Sequence, residues 1–590
     1  MVWLLLGYVI LPAPNKASVS SQLPKLAGAV LVTVLLIASH HLFLSQSKDS
    51  SFSVSLVLVT LPLVMLFSAG LGERAFSVLF WVCAAFAGYA AARYLWLGER
   101  AYVPLLDPGV FATLLYLAWI PWTHRRLRPG SDQTIGLAAV LGGLAFVFSL
   151  ALLATHSRFS ILAIGLVVSG WWLLSLWQAC ARRALISVSL GVLLGAVAYI
   201  GFTPEDMPTI FADPAVAGAD ASASPRWLLL NSAGEMGMAE MPGLGVGLYG
   251  FSLLYPRYRS VDEQDTLGLF AHNDFVQIAV EGGFLLLLPL LALVGWTLFN
   301  GGRLALQRGA WAERLGYWLA ASVALLHATV NFVFYILALV VLLGAVLGAA
   351  VGHQTAPPPR SERIRLSLWT PMVILGVLII LAFDSVTYAV FSGHGGVPGA
   401  NAIRQDPARM LSWADFAARV NDDRSVPRLA LAQLYSHEHV VAAAGLAQKT
   451  KADIAQLYSE AIAIDPSNPY AYVAFADYLE KNGGRAEAPE ALRLRAWALA
   501  PQDPEIASVL VRFYVNKGAT DQALEIAEES MRWCELQARR SRGAQYEFLQ
   551  TVTRLGLKVQ GLKACRGHYE KAILGRRAPP PLLKYFKSTS

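Results

Sequence analysis

Long apolar stretches recur through the first two thirds of the chain, too long and too uninterrupted for the amphipathic helices of a soluble protein. Runs such as 26–44, 52–69 and 134–154 reach the roughly 20 residues that a helix needs to cross a bilayer core. The same criterion gives about eleven spans, at 26–44, 52–69, 75–97, 104–121, 134–154, 160–178, 184–202, 283–300, 315–332, 334–351 and 368–388. Met1–Leu11 is also apolar, but it lacks the charged start and small-residue cleavage site of a secretory leader. It reads either as one extra span or as an interfacial segment.

Beyond about residue 400 the pattern turns alanine-rich, charged and helical. Asp465-Pro466-Ser467-Asn468-Pro469 and Ala500-Pro501-Gln502-Asp503-Pro504 repeat 35 residues apart, with Ala471, Ala474, Tyr478, Ala491 and Ala496 between them. This spacing resembles the tetratricopeptide repeat, whose period is about 34 residues. Tyr514, Gly518, Ala523 and Ala527 continue the second copy, and a less regular unit precedes the first. The expected fold is all-α. A polytopic helix bundle occupies 1–390 with a large loop at 203–271, followed by a linker at 391–426, helical repeats at 427–575 and a tail at 576–590. Such repeats present a protein-binding surface or simply cap the membrane part.

Composition sharpens the membrane reading. Of 590 residues 55% are hydrophobic and only 15% charged, where soluble proteins carry about 25% charged residues. The net charge of +7 does not point to nucleic acid, because the arginines follow alternate spans: Arg125, Arg126 and Arg128, then Arg182 and Arg183, then Arg303 and Arg308, then Arg360, Arg363 and Arg365. Such loops stay in the cytoplasm. Residues 155–159, 203–271 and everything after about 390 then face the opposite side. The four cysteines include no CxxC pair, which argues against a zinc site. Cys83 and Cys180 read as packing residues, whereas Cys534 and Cys565 allow a disulfide if their region lies outside the cytoplasm.

The connection 203–271 is too long to be a plain linker. It starts with turn-rich sequence (Pro204, Pro208, Pro214), continues through an expected amphipathic surface helix at 226–241, and ends in the glycine-rich run Met241–Phe251. Then comes Phe270-Ala-His-Asn-Asp-Phe-Val-Gln-Ile-Ala-Val-Glu-Gly-Gly283. Its His272, Asn273, Gln277, Glu281 and Gly283 resemble the His-Asn…Gln…Glu-x-Gly signature of the bacterial O-antigen ligase and polymerase superfamily, which includes protein O-oligosaccharyltransferases. Ser157-Arg158, Arg226-Trp227 and the run Pro242–Gly247 with Phe251 match further motifs in order, and His327…Asn331-Phe332 resembles a later His…Asp-Phe motif with Asn in place of Asp. The resemblance implies a GT-C-like glycosyltransferase in the bacterial inner membrane, and the alternation of the arginine-rich loops then puts its C-terminal domain in the periplasm. It also implies an undecaprenyl-pyrophosphate type of glycan donor, no cofactor and no metal.

The residue types suit that chemistry. Arginine forks bind phosphate oxygens and keep their charge, so Arg226 and Arg158 are expected to hold a departing pyrophosphate. His272 is the expected base for the attacking hydroxyl. Arg257 and Arg259 are alternative phosphate ligands, and Tyr255 is a candidate for stacking on sugar. Asn273 or Asp274 is the expected N-cap of the next helix, and Asn273, Gln277 and Glu281 are read as support or acceptor-site groups. Asp262, Glu263 and Asp265 offer metal-type ligands but are read as an exposed polar loop. Gly243, Gly245 and Gly247 lack the βαβ setting of a dinucleotide fingerprint. The expected function is inverting transfer or polymerisation of a glycan from the lipid donor, in exported polysaccharide or O-antigen synthesis. The acceptor is a growing chain or lipid core. Alternatives are a protein O-oligosaccharyltransferase and a non-catalytic transporter or scaffold. Expected partners are membrane lipids, the donor and acceptor, and periplasmic proteins docking on the repeats.

Overall fold

The computed structural model describes residues 22–45, 48–68, 73–97, 101, 107–129, 135–202, 223–240, 243–260, 262–263, 268–306 and 313–352. It also describes scattered positions from 375 to 403, and 405–574 with breaks at 421–424, 446, 484–486, 535 and 538–541. Every regular element among them is helical. In the first part these are α1 (Gln22–Leu44), α2 (Lys48–Ser68), α3 (Glu73–Leu97), α4 (Pro108–Arg126), α5 (Ile135–Ala154), α6 (Arg158–Trp177), α7 (Arg182–Phe202), α8 (Ala223–Ala239), α9 (Gly250–Tyr258), α10 (Asp274–Ala305), α11 (Glu313–His327) and α12 (Leu337–Gly352). Each expected span from 26–44 to 334–351 overlaps a helix. Met1–Leu11, the start of the long loop, the tail and most of the span at 368–388 lie outside the described residues.

Five described helices are long and apolar enough to cross a membrane: Phe76–Trp96, Ile135–Ala154, Arg158–Trp177, Arg182–Phe202 and Asp274–Arg303; three shorter apolar helices accompany them. Their outer faces are apolar too. On α7, Leu190, Leu193, Leu194 and Val197 are all exposed, an apolar surface suited to lipid. Inside, α5 and α7 pack so closely that a Cβ on Gly191 would stand 2.1 Å from the Gly142 carbonyl oxygen. Such small-residue contacts replace the hydrophobic drive that is missing between helices in lipid. The chain is thus a polytopic helical membrane protein.

The arginine-bearing helix ends meet at one end of the bundle. Ala181 N–H donates to the Leu127 carbonyl at 2.9 Å, and the Gln178 side-chain amide donates to the Ala305 carbonyl at 3.2 Å.

Two expectations about α10 and α11 need correction. The span expected at 283–300 belongs to a helix that already begins at Asp274, so Gln277 and Glu281 lie within it, and it breaks internally at Gly283. The span expected at 315–332 stops being helical at His327, and 328–336 runs as an irregular segment before α12.

The C-terminal part consists of α13 (Pro407–Val420), α14 (Ser425–Tyr435), α15 (Glu438–Ala443), α16 (Lys451–Ile464), α17 (Pro469–Lys481), α18 (Glu487–Leu499), α19 (Pro504–Asn516), α20 (Thr520–Met531), α21 (Arg542–Arg554) and α22 (Leu562–Leu574). α16 to α20 pack in sequence, each on the next. The repeated proline motif has a clear local cause. Asn468 and Asp503 cap α17 and α19 through their side chains, and Pro469 and Pro504 take the first helical position, where the missing N–H has no cost. The stretch expected as a linker is not bare. α13 lies within it, and its Leu411 and Ala414 are buried in one cluster with Leu431 and Tyr458. Cys534 and Cys565 form a disulfide, with Cα atoms 5.2 Å apart. α18 also packs against α9, so the C-terminal helices touch the loop between α7 and α10.

Candidate functional site

At the end of the bundle opposite the arginine-rich turns, polar side chains tie three segments together around the start of α10. Asn273 is the N-cap. Its Oδ1 accepts from the N–H groups of Phe275 and Val276, both at 3.1 Å. Asp274 reaches across to segment 328–336 instead. Its Oδ2 accepts from the N–H of Val333 at 2.6 Å and of Phe334 at 3.1 Å, while its own N–H donates to the Ala328 carbonyl at 2.8 Å. This binds the irregular segment 328–336 to α10 and satisfies backbone groups that lipid could not.

Gln277 and Glu281 do the same for the loop. Gln277 accepts from the Ala271 N–H at 2.9 Å and donates to Glu281 at 3.0 Å. Glu281 also accepts from the Tyr335 hydroxyl at 2.7 Å and from the Phe251 N–H at 3.3 Å. Asp274, Gln277 and Glu281 are completely buried. One helix face carries all three, as their spacing requires.

The break at Gly283 is the partner of the glycine-rich turn. Gly283 has φ 56° and ψ −159°, a conformation essentially reserved for glycine. The opened ladder pairs with the turn: the Val246 N–H donates to the Val280 carbonyl at 2.8 Å, Gly247 to Glu281 at 3.0 Å, and Phe284 to Gly243 at 3.1 Å. A Cβ on Gly245 would stand 2.3 Å from the Glu281 carbonyl oxygen.

His272 sits between these anchors with φ 54°, a costly conformation for a residue with a side chain. His156, Tyr249 and His272 are the described non-glycine residues with positive φ. Each adjoins one of the motifs, His156 standing two residues before Arg158. The His272 ring meets Phe332 edge-on at 5.2 Å, and its Nδ1 is buried without a hydrogen-bond partner among the described residues. Burial first, and then the Arg226 guanidinium, pull its pKa from 6.5 to about 4, opposed by the carboxylates of Asp107 and Glu263.

Arg226 is exposed in the first turn of α8, and its charge is felt at His327 as well as His272. His327 bonds through Nδ1 to the Thr113 hydroxyl at 2.7 Å and stacks flat on Phe159 at 4.3 Å. Arg158, exposed at the start of α6, is the neighbour of that phenylalanine. The structure therefore gathers His272, Arg226, His327 and Arg158 at one end of the bundle.

Other expected contacts are spent elsewhere. Arg257 pairs with Glu240 at 3.0 Å on the surface. Arg259, with its side chain 3% exposed, pairs with Glu263 at 2.5 Å, and the buried Tyr255 donates its hydroxyl to the same carboxylate at 2.7 Å. Arg259 and Tyr255, expected as substrate contacts, thus have their polar ends engaged with Glu263 within the loop. Glu263 is buried with them rather than exposed, and Asn273 is spent on capping. Asp107 escaped the sequence reading. Its signal was an Asp-Pro pair, and it is the N-cap of α4, with Pro108 at the first helical position.

A comparison with curated proteins finds no match. Residues 143–291, from within α5 to the first half of α10 and including Arg158, Arg226 and His272, match the family model described as O-antigen ligase, which supports an enzyme that ligates or polymerises glycans.

Proposed function

We propose that the chain transfers a glycan, with inversion, from a polyprenyl-pyrophosphate donor to an acceptor hydroxyl at the outer face of the bacterial inner membrane. The observation that carries this reading is that the buried Nδ1 of His272 has no hydrogen-bond partner among the described residues and that its ring feels the charge of the exposed Arg226. The acceptor oxygen attacks the anomeric carbon and its proton passes to His272. The bond from that carbon to the pyrophosphate oxygen breaks, and the negative charge leaving with the lipid is held by Arg226 and Arg158. Gln277 and Glu281 act behind His272, by fixing Ala271 and the loop. The step needs no metal, because the arginines neutralise the leaving group.

The disulfide Cys534–Cys565 supports an oxidising compartment for the C-terminal part, in agreement with the arginine asymmetry of the spans. The two helix starts capped alike 35 residues apart support the tetratricopeptide-like reading, with a protein of the export machinery as its partner. A growing polysaccharide or lipid core is the first choice of acceptor. The contact of α18 with α9 favours protein O-oligosaccharyl transfer as a second reading, since it sets a protein-binding array beside the loop.

His272→Ala and Arg226→Ala in cells, followed by analysis of lipid-linked glycan, test the proposal. Product is lost and donor accumulates while the amount of protein stays constant. Normal product from both variants would leave a non-catalytic scaffold as the better account. Mass spectrometry of surface lipid, secreted polymer and glycoprotein from a deletion strain separates the acceptors.

A further inference from the structure

Asp107 joins the site through a short packed path. Its Oδ1 accepts from the Val110 N–H at 2.8 Å, capping α4. Two residues on, Gly109 leaves bare backbone. A Cβ there would meet Asn331 Nδ2 at 2.0 Å and Asp107 Oδ1 at 3.3 Å, so the Asn331 amide lies over Gly109 beside the Asp107 carboxylate. Asn331 Oδ1 accepts from the N–H of Phe332 at 2.9 Å, and the Phe332 ring stands against His272. Asp107 and Asn331 thus flank Gly109, and Asn331 leads through Phe332 to His272.

The other charged groups around His272 are accounted for. Arg226 on α8 opposes its protonation. Glu263 in the loop is matched by Arg259. On α10 itself, Asp274 is committed to two N–H groups of segment 328–336, and Glu281 to Tyr335, Gln277 and Phe251. From α11, His327 is bonded to Thr113. Of the two carboxylates whose charge is felt at His272, Asp107 and Glu263, Asp107 has no ion-pair partner among the described residues, and position 331, beside it, holds a neutral amide.

We propose that Asp107 is a positioning residue for the transfer: its carboxylate stabilises the imidazolium that His272 becomes on taking the acceptor proton, from the place that Asn331 leaves uncharged. This rests on the transferase reading. The proton moves from the acceptor oxygen to the His272 nitrogen, and Asp107 exchanges none. It supplies only a fixed negative charge, worth more here than in water because the imidazole is largely shielded from solvent.

Asp107→Asn isolates the charge, because asparagine caps a helix about as well as aspartate. The variant is expected to keep its amount in the membrane and its thermal stability. Its kcat at pH 7 should fall about tenfold, the consequence of one pKa unit at the base, with little change in KM for the donor. The acid limb of its kcat–pH profile should move to lower pH, because the imidazole has lost a neighbour that favours its charged form. Asp107→Asn with Asn331→Asp, which moves the carboxylate across Gly109, should regain most of the rate. An unmoved limb in Asp107→Asn, or a double variant no faster than the single one, would reduce Asp107 to a helix cap and overturn the proposal. His272→Ala, run alongside, keeps the two failures apart. If it is inactive while Asp107→Asn behaves as wild type, only the role of Asp107 falls. If His272→Ala is itself active, the transferase reading falls with it.

Discussion

A histidine held at about pKa 4 is neutral across the physiological range, ready to accept a proton but a weak base until something raises it. On the proposed function the donor would supply that: a diphosphate bound by Arg226 would offset the guanidinium charge that disfavours the imidazolium, so that proton affinity would rise with the leaving group in place. Two pH dependences follow. kcat/KM, which reports the free enzyme, should stay flat from about pH 7 to 5 and fall only towards 4, whereas the acid limb of kcat should lie higher. Stability carries the same signature with a definite sign. Because the folded value is depressed below 6.5, the unfolded chain takes up a proton that the folded chain refuses. This stabilising contribution is complete above pH 6.5 and declines as pH drops towards 4. His272→Asn should flatten that part of the curve of melting temperature against pH. At this scale the sequence pointed to His272, Arg226 and Arg158 by residue type and motif. It did not show that Arg259 and Tyr255 share Glu263, because that contact depends on the path of the loop. It passed over Asp107 because an Asp-Pro pair says where a helix begins and not what stands opposite.

Among elements, the interrupted helix α10 and the turn 243–247 form one unit. Gly283→Ala puts a side chain into a glycine-only conformation, with its Cβ 2.4 Å from the Gly243 carbonyl oxygen. The expected cost is about 1–3 kcal/mol for the backbone alone, more with the clash. Transfer should be lost although His272 and Arg226 are untouched, and thermal unfolding of the purified protein beside a donor-binding assay would check both. Hydropathy located the spans well because it counts apolar content. It could not register the breaks. Val330, Phe332, Val333 and Phe334 continue the apolar run beyond His327, yet their backbone turns away to meet Asp274. Breaks of this kind are decided by where N–H and C=O groups find partners, which an apolar average does not contain.

For the molecule as a whole, the C-terminal helices form clusters of their own, and the disulfide joins two positions 31 residues apart. Closing a loop of that length restricts the unfolded chain by about 3–4 kcal/mol on the chain-entropy account. Cys534→Ser with Cys565→Ser should therefore lower the melting point of the C-terminal part and speed its proteolysis, with glycan transfer retained in the bundle. A loss of transfer as well would mean that α18 stabilises α9 and, through it, the loop over the site.

Carbonyls bared inside an apolar span have no solvent to turn to, and the turn 243–247 is what meets them at Gly283. A lid must be able to leave its seat, and this turn cannot do so without stranding polar backbone in oil. The turn is then a fixed wall of the site, and a covalent staple between it and α10 should leave turnover intact.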